Sequence, residues 1–175
     1  MSDTSPPSLA IEQINLTYDM WQDRLVLRLR TRDSSLVELL LTRRLTQNLL
    51  PALVKLVGGT VLAPDPAALQ ELLAYEHRET VGASDFAQPF NEDGQSLFEG
   101  NPMLVSEVKL HVLADNQGWR LDFLDREGRG MNINADKNML HNIIKLFNSI
   151  LPSTGWALPS ARIECVMVSA GRVTH

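Results

Sequence analysis

Four histidines (His77, His111, His141, His175), one cysteine (Cys165) and the adjacent carboxylates Glu92-Asp93 are the side chains best suited to chemistry. Histidines that share a metal recur at short, regular spacings on one element, and no pair here does so. All four are expected at solvated surface positions. A lone cysteine forms no intramolecular disulfide and no four-thiolate zinc site. Its neighbours Ile163, Val166, Met167 and Val168 suit a thiol buried in a strand. Gly128-Arg129-Gly130 lies between two expected antiparallel strands, not at the strand-to-helix turn that cradles a dinucleotide. Glu92-Asp93 falls in an expected loop, where solvation is the ordinary fate of paired carboxylates. These patterns assign no catalytic residue, cofactor or metal, and the expectation leans away from an enzyme.

The elements that would position any site follow from periodicity. Displacing the chain by 94 residues lays Ile11–Val57 on Val105–Leu151 without a gap. Ile14, Leu16 and Tyr18 fall on Val108, Leu110 and Val112. Leu25, Leu27 and Leu29 fall on Trp119, Leu121 and Phe123, and Val37, Leu39 and Leu41 on Met131, Ile133 and Ala135. Each triplet alternates, the period of a strand with one face on a core. The period then lengthens to that of a helix. Thr42 and Asp136 are aligned as N-caps. Leu45, Leu49, Leu53 and Leu56 overlie Met139, Ile143, Phe147 and Ile150 as one apolar stripe. Pro51 falls opposite that stripe, so the helix is expected to continue through it with a kink, while Gly58-Gly59 and Pro152 are expected to end the two helices.

The expected class is therefore α+β: a duplicated β-β-β-α unit, antiparallel sheets with helices on one face, an intervening helix and a C-terminal strand. The expected boundaries are a flexible N-terminus (1–10), the first unit (11–58), an acidic helix-loop connector (59–104), the second unit (105–152) and a terminal strand segment (153–175). Asp65 caps the connector helix, which starts at Pro66. Gly82 to Pro102 reads as loop, and neither unit needs Gly82–Gly100 for its strands or helix. The last strand is placed at Ala161–Ala170.

Net charge is −5, and it is unevenly spread. Seven Lys/Arg against five Asp/Glu occupy Ile11–Val57, one against eight Gly58–Leu104, and six of each Val105–Leu151. The first residues lack a basic and apolar leader, and no run of eighteen apolar residues occurs, so a cytoplasmic protein with no membrane partner is expected.

The two outer sheet faces differ. Lys109, His111, Arg120, Asp122, Asn132 and Asn134 make the second one polar and, by expectation, wet. The first combines Val26, Leu36 and Leu40 with Arg24, Arg28, Arg30 and Glu38. Aliphatic side chains on an outer face call for a cover, either the Pro66–Glu79 helix, the final strand or a second subunit. Phe86, Phe90, Leu97 and Phe98 stand in the polar connector, as loop anchors or as a linear motif resting on the Arg24–Arg32 strand. Arg24, Val26, Arg28, Arg30, Leu36, Leu40, Phe86, Phe90, Leu97 and Phe98 are thus the candidate interaction residues. In order of elements, two strand-helix repeats resemble the PUR-repeat and Whirly class, which implies single-strand nucleic-acid binding; those repeats carry four strands where this chain has three. The leading expectation is a non-catalytic interaction or assembly protein that self-associates as a homodimer, with single-strand nucleic-acid binding as the alternative.

Overall fold

Leu25, Leu27 and Leu29 alternate with Val26, Arg28 and Arg30, so leucines fill one face while Val26 and the charged side chains take the other. The computed structural model describes residues 8–59, 71, 74–75, 78–79, 88–114 and 117–158. Within them the strands are β1 (Ser8–Leu9), β2 (Ile11–Asp19), β3 (Arg24–Thr31), β4 (Ser35–Leu41), β5 (Gln95–Ser96), β6 (Met103–Leu104), β7 (Glu107–Val112), β8 (Trp119–Leu124) and β9 (Gly130–Ala135). The helices are α1 (Arg43–Gly58) and α2 (Lys137–Thr154). The class is α+β. Residues 71, 74, 75, 78 and 79 are also helical; the expected start of that helix, the Ala161–Ala170 strand, Cys165, His77, His175 and Phe86 lie outside the described residues.

The strands form two sheets, β2-β3-β4-β5 with β6 also on β4, and β1-β9-β8-β7. Leu16 opposes Leu27 and Leu27 opposes Leu39; Leu110 opposes Leu121 and Leu121 opposes Ile133. Every Cα pairing among β7, β8 and β9 is a pairing among β2, β3 and β4 moved by the same offset. The two sheets also exchange short parallel strands. Leu9 pairs with Ile133, and Met103 pairs with Leu39, at the same offset again. Ser8–Leu9 is therefore paired strand, not flexible N-terminus, because β9 offers an open edge whose backbone groups need partners.

Both helices start as their caps dictate. Thr42 Oγ1 accepts from Leu45 N at 3.2 Å, and Asp136 Oδ1 from Met139 N at 2.7 Å. Pro51 is exposed within α1, and Gly59 caps that helix. Pro152 does not end α2, as its position suggested. It lies in the last turn, where only one helical bond is lost, and the left-handed Gly155 (φ 66°) ends the helix instead. The helices pack on each other, and α2 lies beside β2. One core joins both inner sheet faces and both helices, with Leu25, Leu39, Leu53, Met131, Ile133 and Ile144 at its centre. Val112, aligned with the inward-facing Tyr18, is 62% exposed, since it ends an edge strand beyond the cover of the core.

Candidate functional site

On the outer face of the first sheet, register sets Val26 beside Leu40, Arg28 beside Glu38 and Arg30 beside Leu36. A strap of residues 91–105 covers them. Arg28 Nε lies 3.0 Å from Glu38 Oε1 and its Nη1 3.3 Å from Glu92 Oε1. Arg30 donates to the carbonyls of Asn91 and Asp93, and its Nε stands 3.4 Å from Glu12 Oε2. The strap's backbone joins the edge of β4 at both ends: Leu97 N donates to Leu36 O at 2.8 Å and Val105 N to Leu40 O at 3.0 Å. Gly94 permits the close approach, since a Cβ there would overlap the Ser34 carbonyl oxygen.

Val26 and Leu40 are consequently buried, and Leu36 half-buried. The described part of segment 82–100, residues 88–100, makes contacts with the first unit and contains the strand β5. Its polar composition concealed this, because its pairing uses backbone groups rather than apolar side chains. Phe98 packs on the core, and Phe90 lies half-buried between two grooves. Arg24 opposes Asp19 in β2 and takes part in none of these strap contacts. The guanidinium groups of Arg28 and Arg30 are held by acceptors of the same chain, which opposes their use on phosphates.

The strap's other side is mixed, with apolar side chains set beside Glu99 and Asn101. Leu97 and Leu104, each 38% exposed, line a cleft of about 680 Å³ with Phe98, Pro102 and the β8–β9 turn. That turn is firm. Asp125 Oδ1 accepts from the amides of Glu127 and Arg129, each at 2.9 Å, and the Arg129 side chain closes on the same carboxylate. Burial pushes the Asp125 carboxyl up, but the Arg129 amide and guanidinium outweigh it and hold it below its ordinary range.

The second sheet's outer face is not uniformly wet, as its composition suggested. Asp122 and Asn132 are buried there. His111 Nε2 is 3.0 Å from Asp122 Oδ2; Arg120 Nη2 donates to that oxygen at 3.3 Å, and its Nε stands 2.9 Å from Oδ1 without hydrogen-bond alignment. A carboxylate paired with Arg120 two residues along its own strand tolerates burial where its sequence position promised solvent. His141, expected at the surface, is 0% exposed, because it shares the core side of α2 with Leu140 and Ile144. Among the described residues, no group of three or more His, Asp or Glu could hold a metal ion, and no helix is long and apolar enough to cross a membrane.

Asp19 to Asp23 reads as a turn in the sequence, but sequence reasoning did not single out the apolar residues at its tip. Trp21 is 94% exposed and Met20 is exposed beside it. Asp19 Oδ1 accepts from the amides of Trp21 and Gln22 at 2.9 and 3.1 Å, which fixes the turn. Asp23 accepts from the Tyr18 hydroxyl and from the Trp156 indole, 133 residues away. Two large apolar residues inside a turn flanked by aspartates were the available signal; the Trp156 contact had none. No family model, no curated protein and no solved structure matches this chain.

Proposed function

We propose that this chain is a non-catalytic interaction protein that associates with a second copy of itself through the outward side of the strap. The carrying observation is the strap's two-sidedness. Glu92 and backbone groups of the strap are spent on the first sheet, while Leu97 and Leu104 remain exposed over a cleft. Apolar side chains displayed on a held backbone lose little entropy on binding, which is what an interface anchor requires. The scaffold beneath is, in this reading, two copies of one β-β-β-α unit, supported by the offset shared between the β2–β3–β4 and β7–β8–β9 registers. A self-complementary contact of this kind closes as a dimer.

Sedimentation equilibrium tests the reading. The wild type is expected as a dimer, and Leu97→Glu with Leu104→Glu as a monomer, because an unpaired carboxylate in a buried interface costs several kcal/mol. A monomeric wild type would overturn it. So would a dimer that survives both substitutions but is lost with Trp21→Ser, which would move the interface to the hairpin tip.

A further inference from the structure

Among the described residues, the sheet edges are managed in three ways. The edge of β9 carries β1, and the edge of β4 carries β5 and β6. The edge strand β7 exposes Glu107, Lys109 and His111, charged or polar groups that discourage further pairing. For β2, nine residues long, the partner on one side is β3, and no described strand pairs with its other side. That side faces α2 instead. Between strand and helix runs a groove of about 490 Å³, lined by residues 11–15 of β2, by Met139, Asn142 and Leu146 of α2, and at one end by Gln88 and Phe90.

The lining specifies a ligand. Positions 139, 142 and 146 share one helix face, setting an amide between two apolar side chains. Gln13, Asn15, Gln88 and Asn142 supply carboxamides, which both donate and accept without charge. The one ionised group in the lining, Glu12, is turned toward Arg30. Gln13 Oε1 accepts from Asn91 N at 3.0 Å, which anchors the closed end. Asn15 Oδ1 is withdrawn from solvent without a hydrogen-bond donor. A strand edge offers alternating backbone donors and acceptors at about 3.3 Å per residue, a spacing that only another extended chain reproduces along its length. The volume falls within the roughly 300–1,000 Å³ usual for ligand sites.

We propose that this groove binds an extended, uncharged peptide segment of a partner protein, added to β2 as a further strand with alternate side chains directed toward Met139 and Leu146. The inference is independent of self-association through the strap, since it uses the opposite edge of the first sheet.

The test is selection of random dodecapeptides displayed on phage against the full chain, followed by titration of the enriched peptides, as free synthetic molecules, into ¹⁵N-labelled protein. Enriched sequences poor in charge, with amide shifts concentrated at residues 11–15 and 139–146, are expected. Asn142→Trp, or Leu146→Trp where the first variant loses its native spectrum, fills the groove and should weaken binding at least about tenfold. Three results would each overturn the proposal: no enrichment over an unrelated control protein, shifts that map to the Leu97–Leu104 cleft, or unchanged affinity in a folded groove-filling variant. The shift map decides the matter even if both variants misfold.

Discussion

One carboxylate oxygen of Asp23 accepts from two side chains, the Tyr18 hydroxyl at 2.7 Å and the Trp156 Nε1 at 2.6 Å. The Tyr18 hydrogen bond, then that of Trp156, lowers the Asp23 carboxyl below its ordinary 3.8. The same Asp23 hydrogen bond raises the Tyr18 phenol above its ordinary 10.0. For Asp23, the stabilisation is present above the unfolded value and is lost as pH falls through the lower folded one. For Tyr18, it is present below the unfolded value and is lost as pH rises through the higher folded one. The turn that displays Trp21 is therefore firmest between those limits. Asp23→Asn keeps an acceptor but removes the ionisation. Its urea midpoint is expected to fall less than that of the wild type as pH drops from neutral into the acid range; parallel falls would remove Asp23 from the acid response.

At the scale of elements, the caps and the strap invite direct tests. Thr42 and Asp136 perform the same task at equivalent helix starts, so Thr42→Ala and Asp136→Ala should each cost about 1 kcal/mol, read from denaturant midpoints. At about 2–4 °C per kcal/mol for a chain of this size, each should also lower the melting temperature by a few degrees. The strap depends on a different feature, the room that Gly94 leaves beside the Ser34 carbonyl. Gly94→Val should lift it and speed hydrogen exchange of the Leu97 amide, which donates to Leu36 O. Unchanged protection of that amide would show that the strap is held without this contact. The helices and six of the strands were legible in the sequence because their apolar periods are long. β1, β5 and β6 were not, since two residues carry no period and their pairing is chosen by whichever open edge lies within reach.

For the whole molecule, the decisive feature is the shared core. Phe147 of α2 and Leu53 of α1 are both buried in the same cluster as the inner faces of the two sheets. Because β1 runs on into β2 and β6 into β7, the exchanged pairs Leu9 with Ile133 and Met103 with Leu39 hydrogen-bond each sheet to a strand continuous with the other. Phe147→Ala should thus cost about 3–5 kcal/mol and leave a single cooperative transition, seen alike by tryptophan fluorescence and by far-UV circular dichroism. Two separated transitions would mean that the units unfold independently.

The sequence by itself determined the class, the strand triplets, both capped helices and the presence of aliphatic residues on the first outer face. Those properties are local, and an alternating or helical period records them wherever the element lies. Tertiary structure alone decided what covers that face, because the strap reaches Arg28 and Arg30 across some sixty residues of chain. It also decided the burial of His141 and Asp122, the Trp156 bond to Asp23, and the groove between β2 and α2. Each of these depends on which distant elements become neighbours, and side-chain identity at either end does not encode that.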